Sequence, residues 1–283
     1  MVGKRPGEAR EAIMNQLRPT QLIEHLRQTL LGQGQDPEAW IEDFGQVAAS
    51  ERRLRGEEFG LAEHVRGVVL AQLSQQRSWG PIARDMSAIE ELFHDFDPEF
   101  LRDADAGELD AGLRTLRCGN RAVRKQLAAL APNIEVLERI DREHGSLDRF
   151  VESDTPDRIA KRLSRTASPY KLRQIGFTLA LEYLRNVGIQ AGKPDVHVRR
   201  ILGGGRLGYA AGLPSEEEAY RIIDELAARA GRSATYLDNL LWILCAEDCG
   251  DVFGAKPRCH VCSLAASCHV GSVLEPSQGR LAG

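Results

Sequence analysis

The sequence has no apolar run long enough to cross a membrane and no apolar segment near its start, where MVGKRPGEAREAI is charged. A membrane span needs about 20 consecutive apolar residues, and a secretory signal peptide needs an apolar stretch of about 7–15. We therefore expect a soluble, cytoplasmic protein with no membrane partner. Aromatic residues are scarce at 6%, but 42% of the 283 residues are apolar, enough for the core of one large or two small domains.

Patterns typical of β-strands are also scarce. Apolar residues instead recur with the 3.6-residue period of amphipathic helices, for example over 61–73 and 217–230. Ser215 and Glu218 have the spacing of a capping box, and Pro156 is placed as the first residue of a helix. The sequence therefore predicts an all-α protein.

An overall excess of positive charge is absent, since the formal net charge is −4. Between residues 158 and 206, however, eleven lysines and arginines face only two acidic residues, Glu182 and Asp195. A short run of this kind is usually a solvated helix face, but this one extends over several predicted helices. We expect a binding surface for a polyanion such as nucleic acid, with Arg199 and Arg200 among its contacts.

Five of the six cysteines lie between residues 245 and 268. In a reducing cytosol such a group is more often a metal site than a set of disulfides. The spacing C-x9-C-x2-C-x5-C defines four candidate ligands, Cys249, Cys259, Cys262 and Cys268. Zinc sites usually contain two separated C-x2-C or H-x3-5-H pairs, and this chain has one, so the spacing favours a [4Fe–4S] cluster. Cys245 is the alternative to Cys249 as the first ligand, but it lies in an apolar helical run, where a buried free cysteine is ordinary. Cys118 is interpreted as structural.

The stretch KPRC and the cysteines after it resemble the C-terminal iron–sulfur loop of helix-hairpin-helix DNA glycosylases of the endonuclease III and adenine glycosylase branch, which has the pattern C-x6-C-x2-C-x5-C. The cysteines that match this pattern are Cys259, Cys262 and Cys268. Val252 stands at the position of the first cysteine, and reaching Cys249 requires three additional residues. The resemblance implies that Lys256 and Arg258 face DNA phosphate; the alternative is that they only solvate the loop.

Other segments match the same family in the same order along the chain. VVLAQLSQQRSW resembles the helix and turn that present a wedge glutamine, here Gln76, and LRTLRCGNRAVRKQL resembles the segment before the hairpin, with Asn120 at its turn. GKPDVHVRRIL resembles the motif of the catalytic aspartate, here Asp195, with His197 interpreted as structural. An exposed helix-end glutamine is the alternative for Gln76. A helix N-cap is the alternative for Asp195, and that role is compatible with catalysis.

The hairpin of the family, L-P-G-V-G-R-K-T-A, aligns with LRQIGFTLA, and only its second glycine, Gly176, is kept. Gln174 replaces the first glycine, and the apolar spacing here also suits one uninterrupted helix. We expect Lys171 and Arg173 to take over phosphate contacts. Thr178 stands where bifunctional relatives have the lysine that attacks the sugar, so the resemblance implies that water is the nucleophile.

The resemblance implies a two-lobed all-α fold with a [4Fe–4S] cluster loop. Its parts would be a helical extension (1–60) that partly packs on the iron–sulfur domain, a barrel-like domain (61–188), the iron–sulfur domain (189–273) and a flexible tail (274–283). It implies a monomeric, nucleoid-associated DNA N-glycosylase of base excision repair without lyase activity. Such an enzyme binds double-stranded DNA and hydrolyses the N-glycosidic bond of a flipped damaged, mispaired or modified base. Two alternatives stay open: a non-catalytic iron–sulfur DNA-binding protein, and an enzyme that processes hypermodified bases on the same scaffold.

Overall fold

The computed structural model describes residues 17–77, 79–247, 249–254 and 256–274. Within these ranges all regular structure is helical and no β-strand occurs, which confirms the predicted all-α class. The α-helices are α1 (Pro19–Leu31), α2 (Pro37–Asp43), α3 (Gln46–Leu54), α4 (Leu61–Leu73), α5 (Gly80–Arg84), α6 (Met86–Leu92), α7 (Pro98–Asp103), α8 (Ala106–Thr115), α9 (Val123–Leu127), α10 (Leu130–His144), α11 (Leu147–Glu152), α12 (Pro156–Ser164), α13 (Phe177–Asn186), α14 (Val196–Leu202), α15 (Glu216–Ala230), α16 (Ala234–Ile243) and α17 (His269–Leu274). None of these helices has the length and apolarity that a membrane span requires.

The helices group into two compact units. The central unit contains residues 42–193, and the split unit joins the residues before position 42 to those from Pro194 onward. The predicted domain boundaries lay at residues 60 and 188. Of the predicted extension and tail, residues 1–16 and 275–283 lie outside the described residues.

The central unit begins at residue 42, before the predicted boundary at residue 60, because α3 belongs to it. The Arg53 guanidinium on α3 donates two hydrogen bonds, of 2.9 and 2.7 Å, to the carbonyl of Val187. Gln46, at the other end of α3, donates to the side chain of Asn186 at 2.9 Å. These hydrogen bonds join residues that are far apart in the sequence, so the sequence pattern of residues 1–60 could not predict them.

Two helices, α4 and α13, form the centre of the central unit, and α13 also packs against α3 and α12. Glycine at position 67 lets α4 approach α13 closely, because a Cβ there would lie 3.1 Å from Val187 and 3.2 Å from Tyr183. Leu181 and Leu184 of α13 are fully buried. Each buried leucine of this kind stabilises the fold by roughly 1.5–3 kcal/mol.

A buried polar network ties this pair of helices to their neighbours. The Asp148 carboxylate on α11 accepts hydrogen bonds from Arg53 at 2.7 Å, from the Phe59 amide at 2.8 Å and from His64 Nε2 at 3.2 Å. His64 Nδ1 lies 2.6 Å from the Tyr183 hydroxyl. Burial lowers the pKa of His64, and a neutral imidazole can accept from the tyrosine while it donates to the carboxylate. One carboxylate thus connects α3, α4, α11 and α13.

The split unit is built on α1, α14, α15 and α16, which pack against one another. The chain after α16, residues 249–268, carries four cysteines, and we call it the thiol loop. It folds back on α16 through hydrogen bonds from the amides of Val252 and Phe253 to the Leu244 carbonyl, both 2.8 Å. Its far end is held by α1, where Thr29 Oγ1 accepts from the Ser263 amide at 3.0 Å.

The predicted helices at 61–73 and 217–230 are confirmed as α4 and α15. The predicted capping box is also formed: Ser215 Oγ accepts from the Glu218 amide at 3.1 Å, and the Glu218 carboxylate accepts from the Ser215 amide at 3.4 Å. These features were predictable because they depend on residues within one or two helical turns of each other.

The Asp148 network leads to a prediction about acid stability. Burial alone would raise the pKa of Asp148, but the hydrogen bonds from His64, Phe59 and Arg53 outweigh it and lower the pKa from 3.8 to about 2. Because the folded pKa is the lower one, the stabilisation is present above about pH 4 and is lost as the pH falls toward 2. We expect Asp148→Asn to reduce the free energy of unfolding at pH 7 by roughly 2–3 kcal/mol and to flatten its decline in acid.

Urea unfolding at pH 7 and at pH 3 measures both effects. Glu152→Gln is the matched control, because Glu152 also pairs with Arg53 but its side chain is 52% exposed. An exposed pair of this kind contributes less than about 1 kcal/mol. If Asp148→Asn and Glu152→Gln lowered the free energy of unfolding equally, the assignment of the stabilisation to Asp148 would be contradicted.

Candidate functional site

Asp195 caps the first turn of α14. One carboxylate oxygen, Oδ1, accepts hydrogen bonds from the amides of His197 at 2.8 Å and Val198 at 3.0 Å. The other oxygen, Oδ2, has no hydrogen-bond partner among the described residues, and the side chain is half-buried. The N-cap role weighed from the sequence is therefore present, and it leaves one oxygen of an oriented carboxylate available to a ligand.

Positive charge lies along the same helix, but the two predicted arginines differ in surroundings. The Arg199 Nε donates to the carbonyl of Pro214 at 2.7 Å, which commits part of its guanidinium to the protein. Arg200 is exposed, and so is His197. The side chain of His197 is exposed, so it is not the interior histidine that the sequence led us to expect, and its backbone amide donates to Asp195.

The hairpin is present as a turn between two helices. α12 ends at Ser164 and α13 begins at Phe177, so the alternative of one uninterrupted helix is wrong. Gln174 adopts a left-handed backbone conformation with φ of +59° at the position of the family's first glycine. Gly176 is the N-cap of α13 and is exposed, and a Cβ placed on it would meet no atom within 4 Å.

Two side chains hold this turn in place of the missing glycine. Asn133, buried on α10, accepts from the Arg173 amide at 2.6 Å and donates to the Arg173 carbonyl at 3.1 Å. The Lys171 ammonium donates to the carbonyls of Leu172, at 2.7 Å, and Ile175. Asn133 lies 40 residues before the turn and belongs to no recognisable motif, so the sequence pattern did not indicate it.

Lys171 was predicted to contact phosphate, but in the structure its ammonium binds carbonyl groups of the protein. Burial lowers the pKa of this lysine, and its ammonium is directed at backbone carbonyls of its own turn. Arg173 and Gln174 are instead the exposed side chains of the turn. Gly176 after them is exposed as well.

Thr178 lies in the first turn of α13 and is half-buried. Lys193, the lysine two residues before Asp195, is buried, and its ammonium lies 3.2 Å from Ser74 Oγ and 3.5 Å from the Glu182 carboxylate. Burial acts to raise the pKa of Glu182, but Lys193 and Arg185 hold it below its ordinary value. Lys193 is thus the partner of a buried carboxylate.

The turn after α4 carries the predicted wedge residue, Gln76. Gln76 is exposed and has a left-handed backbone with φ of +51°. Gln75 beside it accepts from Gln126 at 2.7 Å, and Asn120 donates to the Gln72 carbonyl at 2.8 Å and to Gln126 at 3.1 Å. Asn120 also accepts from a backbone amide of its own turn, so the predicted DNA-binding asparagine braces the base of the wedge turn.

A small cavity lies within the split unit beside the thiol loop. Its lining residues are Arg206, Val252, Phe253, Pro257, Cys259, Cys262, Ala265, Cys268 and Gly271. Neither Cys249 nor Cys245 belongs to this lining. Cys249 is half-exposed in the turn after α16, whereas Cys245 is buried with its thiol 3.4 Å from the Leu241 carbonyl. Three of the four predicted ligands therefore share one cavity, and Val252 occupies the wall at the position of the family's first cysteine.

The cavity suits an anionic, sulfur-ligated group in part. Three buried thiols surround apolar walls, and Nη1 of Arg206 is buried with no hydrogen-bond partner among the described residues. Burial raises the pKa of the Cys262 thiol, so an ionised sulfur there needs positive charge nearby. The described side chains do not form a group of three histidines, cysteines or acids that could hold a metal ion, and Cys249 is not directed into the cavity as fourth ligand.

The two residues of the thiol loop predicted to face DNA phosphate, Lys256 and Arg258, differ in exposure. Lys256 is exposed, and Arg258 is half-buried with its amide donating to the Val252 carbonyl at 3.0 Å. Cys118 is buried in the central unit, with its thiol 3.3 Å from the Leu116 carbonyl and 3.5 Å from that of Pro81. No disulfide joins any of the six cysteines, all of which lie in the described part of the chain.

The fold is that of the helix-hairpin-helix DNA glycosylases. The chain is similar to the crystal structure of the Methanocaldococcus jannaschii 8-oxoguanine DNA glycosylase, with a TM-score of 0.52 and 17% identity over 81% of this chain and 96% of that one. The 8-oxoguanine glycosylase/lyase of the same organism, in complex with a 15mer DNA containing 8-oxoguanine, has a TM-score of 0.48 and 19% identity over 74% of this chain and 88% of that one.

No protein-family model matches the chain, and no curated protein matches it. At this identity the structural likeness shows the fold alone. The narrower resemblance to the endonuclease III branch, together with its iron–sulfur loop, stays a prediction.

The hairpin conformation gives a prediction about stability. A left-handed conformation costs a residue with a Cβ about 1–2 kcal/mol, while glycine loses more backbone entropy on folding. We expect Gln174→Gly to raise the free energy of unfolding by about 0.5–1 kcal/mol. Gln174→Ala, which keeps the Cβ, is the control and should change stability by less than about 0.5 kcal/mol. Thermal and urea unfolding compare the variants, and a Gly variant no more stable than the Ala variant would refute the strain at this turn.

Proposed function

We propose that the chain is a monofunctional DNA N-glycosylase of base excision repair. The observation that carries the proposal is the Asp195 carboxylate, which is oriented by two backbone amides through one oxygen and leaves the other open. The fold, the wedge turn at Gln76 and the hairpin before α13 support it. The solved structure of similar fold belongs to an 8-oxoguanine DNA glycosylase, and 8-oxoguanine is therefore the first base to test.

In this proposal Asp195 acts on the sugar. Cleavage of an N-glycosidic bond develops positive charge at C1′, and a fixed carboxylate stabilises that charge and orients the attacking water. The amides of His197 and Val198 hold Oδ1, so Oδ2 can face the substrate without reorganisation of the helix start. The exposed Arg200 on the same helix adds positive charge for the DNA backbone.

The wedge turn would fill the gap left by an extruded base. A glycosylase must take its target base out of the stack, and this unstacking costs a few kcal/mol unless the vacancy is occupied. Gln76 is exposed on a turn braced by Gln75, Gln126 and Asn120. This bracing lets a polar side chain enter the duplex from a fixed backbone.

Water is the proposed nucleophile because, among the described residues, a threonine and not a lysine stands at the position where bifunctional relatives carry the attacking amine. Thr178 occupies the position of the family's lysine, and Lys171 and Lys193 have their ammonium groups engaged with backbone carbonyls and with Glu182.

A [4Fe–4S] cluster is the proposed structural cofactor of the thiol loop. Cys259, Cys262 and Cys268 would hold it, and Cys249 would have to turn toward the cavity to complete the set. When bound, such a cluster supplies a rigid link across the loop. This loop carries the exposed Lys256 and the half-buried Arg258, which would then face phosphate.

The catalytic prediction concerns Asp195→Asn. We expect base release under single-turnover conditions to fall at least about a hundredfold, while duplex affinity is kept, because the charged transition state loses its carboxylate. Wild-type product should carry an intact abasic site, and borohydride should trap no enzyme–DNA adduct. Duplexes with 8-oxoguanine and with a panel of other lesions provide the assay.

Asp105→Asn is the matched control, since Asp105 also caps a helix by accepting from two backbone amides, at 2.8 and 2.9 Å. It should leave base release unchanged. Efficient borohydride trapping would overturn the monofunctional assignment, and undiminished base release by the Asp195 variant would remove the aspartate from its role. Binding of duplexes without base release from any lesion would favour the non-catalytic alternative.

A separate prediction tests phosphate binding at the hairpin. Gly176→Ala should leave stability nearly unchanged, because a Cβ there meets no protein atom and φ is −91°. It should weaken duplex binding at least about tenfold if a phosphate approaches the backbone, since the Cβ would occupy that approach. Gly60→Ala is the control: Gly60 is also a helix N-cap with open space and an ordinary φ of −76°. Equal affinities for the two variants would rule out a phosphate at Gly176.

A further inference from the structure

A buried lysine at the end of the central unit has no part in the proposed reaction so far. Lys193 is 9% exposed, and its ammonium lies 3.5 Å from the Glu182 carboxylate of α13 and 3.2 Å from the Ser74 hydroxyl. A charge inside a protein is costly unless it is paired and hydrogen-bonded. Glu182 also accepts a hydrogen bond from the buried Arg185 at 3.2 Å. Compensation of the Glu182 charge therefore does not by itself require Lys193.

The second contact of Lys193 lies at the base of the wedge turn. Ser74 is the C-cap of α4, and the proposed wedge, Gln76, follows two residues later. The C-terminal end of a helix carries partial negative charge, because its last carbonyl groups have no partner within the helix, and a cation is stabilised there. The Ser74 hydroxyl donates to the Ala71 carbonyl of this last turn at 2.9 Å. Lys193 thus reaches the end of α4 through the serine hydroxyl.

Lys193 is also the start of a short connection to Asp195. Pro194 alone separates the two residues, and a proline ring fixes its own φ and keeps the residue before it in an extended conformation. Residues 191–194 are all buried, and Asp195 is the N-cap of α14. Few backbone torsions are therefore free between the anchored lysine and the proposed catalytic carboxylate.

We infer that Lys193 is a positioning residue, which holds the wedge turn through Ser74 and fixes the start of the chain that leads to Asp195. The inference rests on the proposed function and adds to it a residue that acts through other residues, without a contact to DNA of its own. Glu182 belongs to the same arrangement, because it holds the ammonium in place. Lys193 would link the filling of the gap left by an extruded base to the cleavage of the glycosidic bond.

The effect of Lys193 on the wedge can be measured without any base release. A duplex with a tetrahydrofuran abasic-site analogue already contains the gap that Gln76 would fill, so the ratio of its Kd to that of the intact duplex reports the wedge. We expect Gln76→Ala and Lys193→Met each to reduce the preference for the gapped duplex about tenfold. In the double variant the two losses should not add, because Lys193 acts through the turn that carries Gln76.

Two further variants separate this role from a contribution to folding. Ser74→Ala removes only the acceptor at the wedge turn and should have the same effect as Lys193→Met, so the test does not depend on the stability of the lysine variant. Arg185→Met is the matched control, because it also removes a buried cation from Glu182 but leaves Ser74 in place. It should lower the melting temperature and keep the gap preference of the wild type.

Base release under single-turnover conditions tests the link to Asp195. Lys193→Met should slow it about ten- to a hundredfold, the loss expected from a small misplacement of reacting groups, with the Kd of the intact duplex unchanged. Undiminished base release would remove that link. A wild-type gap preference in Lys193→Met and Ser74→Ala, or losses that add to that of Gln76→Ala, would overturn the assignment to the wedge. Gap preference that depends on Lys193 without base release from any lesion would refute the glycosylase proposal and leave the assignment to the wedge intact.

Discussion

The central unit depends on one buried carboxylate. The Asp148 carboxylate accepts hydrogen bonds from α3, from the chain before α4 and from His64 on α4. The other ring nitrogen of His64 forms a hydrogen bond with Tyr183 of α13. Two of the four helices connected in this way, α4 and α13, adjoin the turns proposed to contact DNA. The wedge turn follows α4 and the hairpin precedes α13, so the network connects the helices that bear both turns although it contacts neither turn.

Both turns share a second feature, a glutamine held in a left-handed conformation. Gln76 and Gln174 each adopt a positive φ, and each turn is braced by an amide side chain from a distant helix or loop, Asn120 in one case and Asn133 in the other. Strained backbone persists only where the surroundings determine it, and such positions are concentrated at functional sites. The departure from the glycine pattern of the family is therefore compensated by side-chain hydrogen bonds.

The features that sequence analysis predicted are those determined locally or by a strong family pattern. The extent of α4, the capping box of α15 and the position of Asp195 before a helix all follow from residues close together in the chain. The pattern could not show which polar groups are used internally. Asn120 matched a family segment and Lys171 was expected to contact phosphate, yet Asn120 donates to the Gln72 carbonyl and Lys171 donates to carbonyls of its own turn.

The hydrogen bond between Thr29 and Ser263 affects the order in which parts of the chain can fold during synthesis. Its partners are 234 residues apart, and at about 5–20 residues per second the ribosome needs roughly 10–50 s to synthesise the chain between them. During that interval α1 has emerged without the helices it packs against, whereas residues 42–193 already form a contiguous segment. The central unit can therefore complete its core during translation, while α1 can complete its packing only after the rest of the split unit has been synthesised.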